Sequence, residues 1–302
     1  MTVLEAIQRS TEFLVRKGVE SPRLQTELLL AHVLKLPRMQ LYLNFERALT
    51  SAETESMREL IVRRGQREPS QHIMGSTCFC GLEFTVNRDV LVPRPETELL
   101  AEQGWVFLQE LAQAAAGNGK DLRPLTALDF GTGSGCLAVT LAKNCSSVRV
   151  CAVDVSAAAL EVARENATRL GVGERVDFRN GDGFSALPQE SRFVLIISNP
   201  PYIPSNEIET LQPEVRDFDP RAALDGGAEG MEFYRILAEQ AAHFLESRGK
   251  LMVEFGDGQG ERIRKLFESQ KWIVEAILDD YNHKPRILIA RRDQVSREAC
   301  SE

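Results

Sequence analysis

The chain has 302 residues, 43% hydrophobic and 26% charged, with a formal net charge of −8, a balance that excludes disordered, collagenous and coiled-coil classes. No apolar run approaches the ~18 residues of a membrane span, and the opening MTVLEAIQRS lacks the basic-then-apolar order of a signal peptide. The Cys at positions 78, 80, 136, 145, 151 and 300 show no paired zinc-ligand spacing, so the expectation is a cytoplasmic, monomeric protein with reduced thiols, no metal and no membrane.

The first 75 residues read as a small helical bundle. Thr2 with Glu5 forms a capping box ahead of Leu4, Ile7, Phe13 and Leu14, and Gly18 is a stop signal. Ser21-Pro22 reads as an N-cap followed by proline at the first helical position, with an apolar stripe on Leu24, Leu28, Ala31 and Leu34. Thr50 and Glu53 repeat the capping box before Met57, Leu60 and Ile61. Residues 76–92 read as a β-hairpin linker, in which Cys78, Cys80, Leu82, Phe84 and Val86 alternate onto one apolar face. From 93 to 302 strands alternate with helices. Thr126–Phe130, Val148–Val153, Phe193–Ser198, Lys250–Phe255 and Arg286–Ala290 are short apolar runs; Ser156–Leu170 and Gly230–Leu245 are helical. That order predicts a doubly wound, Rossmann-like α/β sheet with its ligand site at the carboxyl ends of the strands.

Two segments at such strand ends carry chemistry. DFGTGSG, Asp129 to Gly135, joins a strand to the helical run Cys136–Lys143. Glycines there let the backbone approach a ligand, and the helix start offers free N–H groups. The spacing is GxGxG; a dinucleotide fingerprint needs glycine where Cys136 stands. Asp154 ends the next strand, in place to accept hydrogen bonds from a ribose, so the pair reads as a nucleoside site. The second segment is NPPY, Asn199 to Tyr202. Two prolines stiffen the chain as it leaves the sheet, and the Asn199 side-chain oxygen and the Pro200 carbonyl form two adjacent acceptors that suit a planar NH2 group.

Together these motifs resemble the S-adenosyl-L-methionine-dependent methyltransferases of amino and amide nitrogens. With PSQHIMG (Pro69–Gly75), LVPRPETE (Leu91–Glu98) and RDFDPRAALDGGAEGMEFY (Arg216–Tyr234), the chain resembles the PrmC/HemK family, the release-factor glutamine methyltransferases, over nearly its whole length. The resemblance implies a class I methyltransferase domain behind the helical bundle and hairpin. It assigns the cofactor to Asp129, Gly131, Thr132, Gly133, Ser134, Gly135, Asp154, Asp182, Gly183, Phe184 and Asn199. Gly183 stands where some relatives carry Trp, so Phe184 or another apolar group is expected to cover the adenine. Catalysis and substrate binding fall on Asn199, Pro200, Pro201 and Tyr202, and the implied partner is a class-1 peptide chain release factor, methylated on the glutamine of its Gly-Gly-Gln motif.

Other residues take plainer readings. His32, His72, His243 and His283 are too scattered for a metal site; Arg63-Arg64 reads as a solvated helix face; Glu96 and Glu98 either brace the cofactor pocket or cap a helix. The alternative function is a DNA or RNA amino-methyltransferase, which shares NPPY. Charge argues against it: residues 1–75 hold 11 Lys+Arg against 9 Asp+Glu, and the remainder 25 against 35. A nicotinamide-dependent oxidoreductase shares only the strand, glycine and acid layout, and a non-catalytic adaptor is at odds with two intact half-sites. The +2 front segment is assigned to recognition of the release factor, as a surface distinct from the −10 remainder.

Overall fold

The computed structural model describes residues 1–117 and 124–292. At the front, α1 (Val3–Arg16), α2 (Pro22–Leu34), α3 (Arg38–Leu41), α4 (Ser51–Gly65) and α5 (Ser70–Met74) pack around Ile7, Leu14, Leu29, Leu30 and Met57. Both capping boxes close: Glu5 N donates to Thr2 Oγ1 at 3.2 Å and Thr2 N to Glu5 Oε2 at 2.9 Å, with the same exchange between Thr50 and Glu53 at 3.2 and 2.8 Å. Two expectations fail here. Ser21 has φ 47° and makes no side-chain cap, so Pro22 alone starts α2. The α2 stripe is also displaced: Leu24 is exposed while Leu29 and Leu30 are fully buried. Leu-rich α2 is apolar on most of its circumference, so its neighbours α1 and α4, not its periodicity, choose the buried face.

The hairpin corrects a third expectation. Strands β1 (Ser76–Phe79) and β2 (Leu82–Thr85) pair with Phe79 opposite Leu82 and Thr77 opposite Phe84. A two-residue turn at Cys80 (φ 48°) and Gly81 (φ 73°) interrupts the alternation. The core face is therefore that of Phe79 and Phe84, whose rings meet edge-on at 5.9 Å, and Cys78 faces solvent.

Seven further strands form one sheet: β3 (Leu125–Phe130), β4 (Val148–Asp154), β5 (Val176–Asn180), β6 (Phe193–Ser198), β7 (Leu245–Glu254), β8 (Trp272–Asp279) and β9 (Pro285–Arg292). Their spatial order is β5-β4-β3-β6-β7-β9-β8, parallel from β5 to β7, with β9 inserted antiparallel beside β7 and β8. The sequence left β5 and β8 unassigned. Both lie at sheet edges, where charged residues guard the unpaired backbone and weaken the apolar signal, and register shifts in β8 at Val274/Ala276 and Leu278/Asp279 break its alternation. Helices α6 (Pro95–Gly117) and α7 (Cys136–Asn144) cover one face with Leu100, Leu108 and Leu141; α10 (Glu232–Phe244) and α11 (Gly260–Ser269) cover the other with Tyr234, Leu237 and Phe267. No helix among the described residues is long and apolar enough to cross a membrane.

The hairpin is tied to the sheet through one buried side chain. Asn166, on α8 (Ala157–Arg169), accepts from Thr85 N at 2.7 Å and donates to Thr85 O at 3.0 Å and Ser134 O at 2.9 Å. Asn166→Ala leaves three backbone groups without these partners. The expected cost is ~2–5 kcal/mol in urea-denaturation stability, since each orphaned buried group costs about 1–3 kcal/mol; a loss below ~1 kcal/mol would show that water replaces the tie.

Candidate active site

Strand β3 pairs with β4 on one side and β6 on the other, so the chain order reverses between β3 and β6. The crevice at that switch point is where a doubly wound sheet binds ligands. A cleft of about 220 Å³ lies there, lined by Gly131, Thr132, Gly133, Ser134, Asp154, Asp182, Gly183, Asn199 and Pro201. Gly131 (φ 76°) and Gly133 (φ 54°) have open space where a Cβ would be, so the turn's backbone is uncovered. Asp154 accepts from Gly133 N at 2.8 Å on one oxygen and from Ser156 N at 2.9 Å on the other. A carboxylate has about four acceptor positions, so this one keeps two for a ligand.

Three residues assigned to the cofactor lie outside the cleft lining. Gly135 (φ 79°) is a packing glycine: a Cβ there would stand 3.0 Å from Ala163 Cβ on α8. Asp129 is fully buried beneath the turn, its Oδ2 accepting from Thr132 Oγ1 at 2.6 Å and Ala138 N at 3.0 Å while Oδ1 has no partner. Burial pushes its carboxyl up to about 7, against those two hydrogen bonds, and the Asp154 charge adds to the rise. Phe184 is buried below, stacked on Phe244 at 5.0 Å and in contact with Phe130 at 4.9 Å. The rings that line the cleft are Phe130 and Phe233, and a Cβ at Gly183 would come within 2.8 Å of Phe130. A side chain at 183 and the present Phe130 compete for one space.

The NPPY segment leaves β6 into a backbone clamp. Gln259 Nε2 donates to Tyr202 O at 2.9 Å, and Gly226 N donates to Ile203 O at 2.9 Å. At Gly230 (φ 67°) a Cβ would fall 2.3 Å from Tyr202 O, so the glycines of LDGGAEG are needed for this approach. On the far side of Asn199 lies a second cavity of about 300 Å³, lined by Asn199, Pro200, Tyr202, Glu254, Arg94 and Glu96 with apolar Leu211 and Val215. Pro201 faces the first cavity, Pro200 and Tyr202 the second, and Asn199 lines both. Burial raises the Tyr202 phenol to about 12, so it stays neutral.

Several residues of the site had no role in the sequence reading. Asn199 Nδ2 donates to Thr97 Oγ1 at 3.0 Å, and Thr97 Oγ1 donates to Glu254 Oε2 at 2.7 Å. Thr97 stood between two glutamates already singled out; Glu254, an acid closing an apolar strand, was a signal of the same kind as Asp154. Of the two glutamates, Glu98 accepts from Cys80 N at 2.7 Å and braces the hairpin, whereas Glu96 lines the second cavity. Arg63 and Arg64 are not a solvated face: Arg63 forks onto Glu68 with two bonds of 2.8 Å, and Arg64 donates to Glu214 at 2.8 Å. Among the described residues no three His, Cys, Asp or Glu gather as a metal would require.

Comparison with known proteins agrees with this layout. Residues 5–75 match the PrmC N-terminal domain and residues 106–212 the Methyltransferase small domain. The release factor glutamine methyltransferase of Geobacter sulfurreducens is 44% identical over 266 residues, 88% of either chain. That of Chlorobaculum tepidum is 44% identical over 289 residues, 94% of this chain and 95% of its own. Among solved structures, the hMettl16 catalytic domain in complex with MAT2A 3'UTR hairpin 6 shares the fold, with a TM-score of 0.51 at 13% identity over 80% of this chain and 82% of that one.

The buried Asp129 generates a pH dependence. Its folded value is raised from 3.8 to about 7, so its contribution to stability is fully present below about 4 and is lost as pH rises through about 7. Asp129→Asn keeps an oxygen for Thr132 and Ala138 and removes the charge. Wild type should therefore lose stability relative to this variant between about pH 4 and about pH 7, by on the order of 4 kcal/mol, and no further above. Urea denaturation at several pH values checks it; a constant gap would mean Asp129 is ionised without penalty.

Proposed function

The chain belongs to the release factor glutamine methyltransferases, and we propose that it methylates the side-chain amide nitrogen of the glutamine in the Gly-Gly-Gln motif of class-1 peptide chain release factors. The observation that carries this reading is Asn199, which lines both the glycine-turn cleft and the neighbouring cavity. A nucleoside cofactor in one and an acceptor amide in the other would meet at that residue.

The first cleft fits S-adenosyl-L-methionine. Asp154 keeps acceptor positions for ribose hydroxyls, the uncovered backbone at Gly131 and Gly133 admits close approach, and Phe130 gives an aromatic wall beside Gly183. When bound, the cofactor supplies a methyl group on a positive sulfur, which keeps the bonding electron pair and leaves as S-adenosylhomocysteine. The residues of the chain do the rest by positioning. An amide nitrogen is a weak nucleophile because its lone pair is shared with the carbonyl. Asn199 Oδ1 and the Pro200 carbonyl accept its two N–H hydrogens, turn the lone pair toward the methyl and stabilise the positive charge that develops as the N–C bond forms. The nitrogen then releases one proton to solvent. Tyr202, neutral and held by Gln259, packs against the flat amide.

The front helices are assigned to holding the release factor, and they also hold the acceptor cavity. Arg64 and Arg67 both bind Glu214 on α9 (Pro213–Arg216), at 2.8 and 2.6 Å, and α9 carries the cavity wall residue Val215. Burial opposes the Glu214 charge, but the hydrogen bonds from Arg67 and Arg64 outweigh it and keep the carboxyl below its usual range. A front domain separable from the core without consequence is therefore at odds with this contact.

The test is incubation with labelled S-adenosylmethionine and purified release factor, DNA or tRNA, with mass spectrometry of the product. One added methyl on the motif glutamine is expected; label on adenine with the release factor untouched would favour the nucleic-acid reading. Two variants separate binding from chemistry. Asp154→Ala should weaken cofactor binding by ~1.5–3 kcal/mol for each charge-assisted hydrogen bond lost, read by calorimetry. Asn199→Ala should retain cofactor binding while slowing single-turnover transfer by roughly 10²–10³-fold. Glu214→Ala should leave cofactor affinity within about twofold and lower kcat/KM for intact release factor about tenfold, since a partly buried ion pair is broken at the cavity wall.

A further inference from the structure

Beyond the residues that touch the acceptor, the geometry points to a pair that decides which way round the Asn199 amide sits. We propose that Thr97 and Glu254 are positioning residues for methyl transfer: they pin the Asn199 NH2 on the protein side and thereby turn its oxygen toward the acceptor. The inference deepens the methyltransferase reading and rests on it.

The three residues come from distant parts of the chain. Asn199 follows β6, Thr97 lies in the first turn of α6 and Glu254 closes β7. Thr97 is 2% exposed and Glu254 1% exposed, so water does not compete for their bonds. An amide is nearly symmetrical in shape but not in chemistry, with a donor at one end and an acceptor at the other. For an acceptor NH2, only the oxygen end is useful; the other end sets donor against donor.

A hydroxyl alone does not select between the two orientations, because it donates as readily as it accepts. Glu254 removes that freedom. An ionised carboxylate has no proton to give, so the Thr97 hydroxyl must point its single hydrogen at Glu254 Oε2, 2.7 Å away. Its lone pairs are then what Asn199 meets at 3.0 Å, and only the Nδ2 end matches them. Reversing the amide would bring two oxygens together with no hydrogen between them, in a buried site where such an unpaired contact is costly. The backbone that carries the carboxylate is itself anchored, since Tyr234 OH donates to the Glu254 backbone oxygen at 2.9 Å. Burial raises the Glu254 carboxyl to about 7 against the pull of Thr97, Arg286 and Arg94, so it is charged under mildly alkaline conditions.

Single-turnover transfer to intact release factor at about pH 8, both substrates saturating, tests the pair alongside calorimetry of cofactor binding. Thr97→Val, which keeps the shape and removes the hydroxyl, should slow transfer about 10²-fold with cofactor affinity changed by less than about threefold. Thr97→Ser restores the hydroxyl and should recover most of the lost rate. Glu254→Gln keeps the volume but can turn its own NH2 toward Thr97, which frees the hydroxyl; about tenfold slower transfer is expected and does not depend on how well the valine variant folds. A wild-type rate in Thr97→Val or in Glu254→Gln, or a serine variant as slow as the valine one, would overturn the inference. A wild-type enzyme that leaves the release factor unlabelled would instead overturn the methyltransferase reading beneath it.

Discussion

The parallel pairing of β3 with β6 is the constraint on which the rest of the site depends. Asp129 stands opposite Ile197, so the glycine turn that follows one strand and the NPPY segment that follows the other emerge side by side. Neither motif has a partner in its own stretch of chain. The buried Ser198 hydroxyl, donating to Phe130 O at 2.7 Å, ties the two strand ends together at the point where the ladder stops. A slip of one residue would turn Asn199 away from the cleft and every inward side chain of β6 away from its layer. The apolar cost of that slip fixes the spacing of the two segments.

The ends of the strands also explain why so many polar side chains are buried nearby. Where a ladder stops or a helix starts, backbone groups lack partners and must find others. Asn166 supplies them for Thr85 and Ser134, Asp129 for Ala138, and Gln259 for Tyr202 and for Gly256. Each such group is expensive to bury and is tolerated because it leaves other groups paired. Asp129 and Glu254 go further, keeping carboxyls in apolar surroundings that raise both to about 7. One steadies the glycine turn that lines the first cleft, the other the asparagine that lines both cavities.

What was legible in the sequence was the part encoded locally. The capping boxes, the presence of a hairpin after the helical bundle and the strand ends before DFGTGSG, Asp154 and NPPY depend on neighbours a few positions away. The α2 face was not legible, because tertiary neighbours choose among several apolar faces. The edge strands β5 and β8 were not, because charge and register shifts erase their alternation. That Phe130 and not Phe184 borders the cleft was not legible either, because the space beside Gly183 exists only once β3 and the turn after β5 are adjacent. Thr97 and Glu254 lie 157 positions apart and carry no motif linking them. Their signal was limited to being polar residues at the end of a helix or strand that converges on the site.

Charge around the second cavity bears on the kind of molecule that enters it. Arg94 is paired with Asp219 at 2.7 Å and Arg286 with Asp280 at 3.3 Å, while Arg64 and Arg67 share Glu214. Glu96 and Glu254 add negative charge to the lining. A nucleic-acid backbone is held by cations free to replace its counterions, and cations already committed to carboxylates contribute little to that exchange. A glutamine side chain needs none of this: it is neutral and slim, and it asks for an apolar passage and two well-aimed acceptors. Leu211, Val215 and Tyr202 give the second cavity apolar walls, and the polar groups of Asn199 and Pro200 line it beside them. The pairing of the arginines therefore does two things at once. It binds the front helices to α9 and the RPETE segment to the DFDPR segment, and it leaves these arginines little freedom to replace the counterions of a polynucleotide.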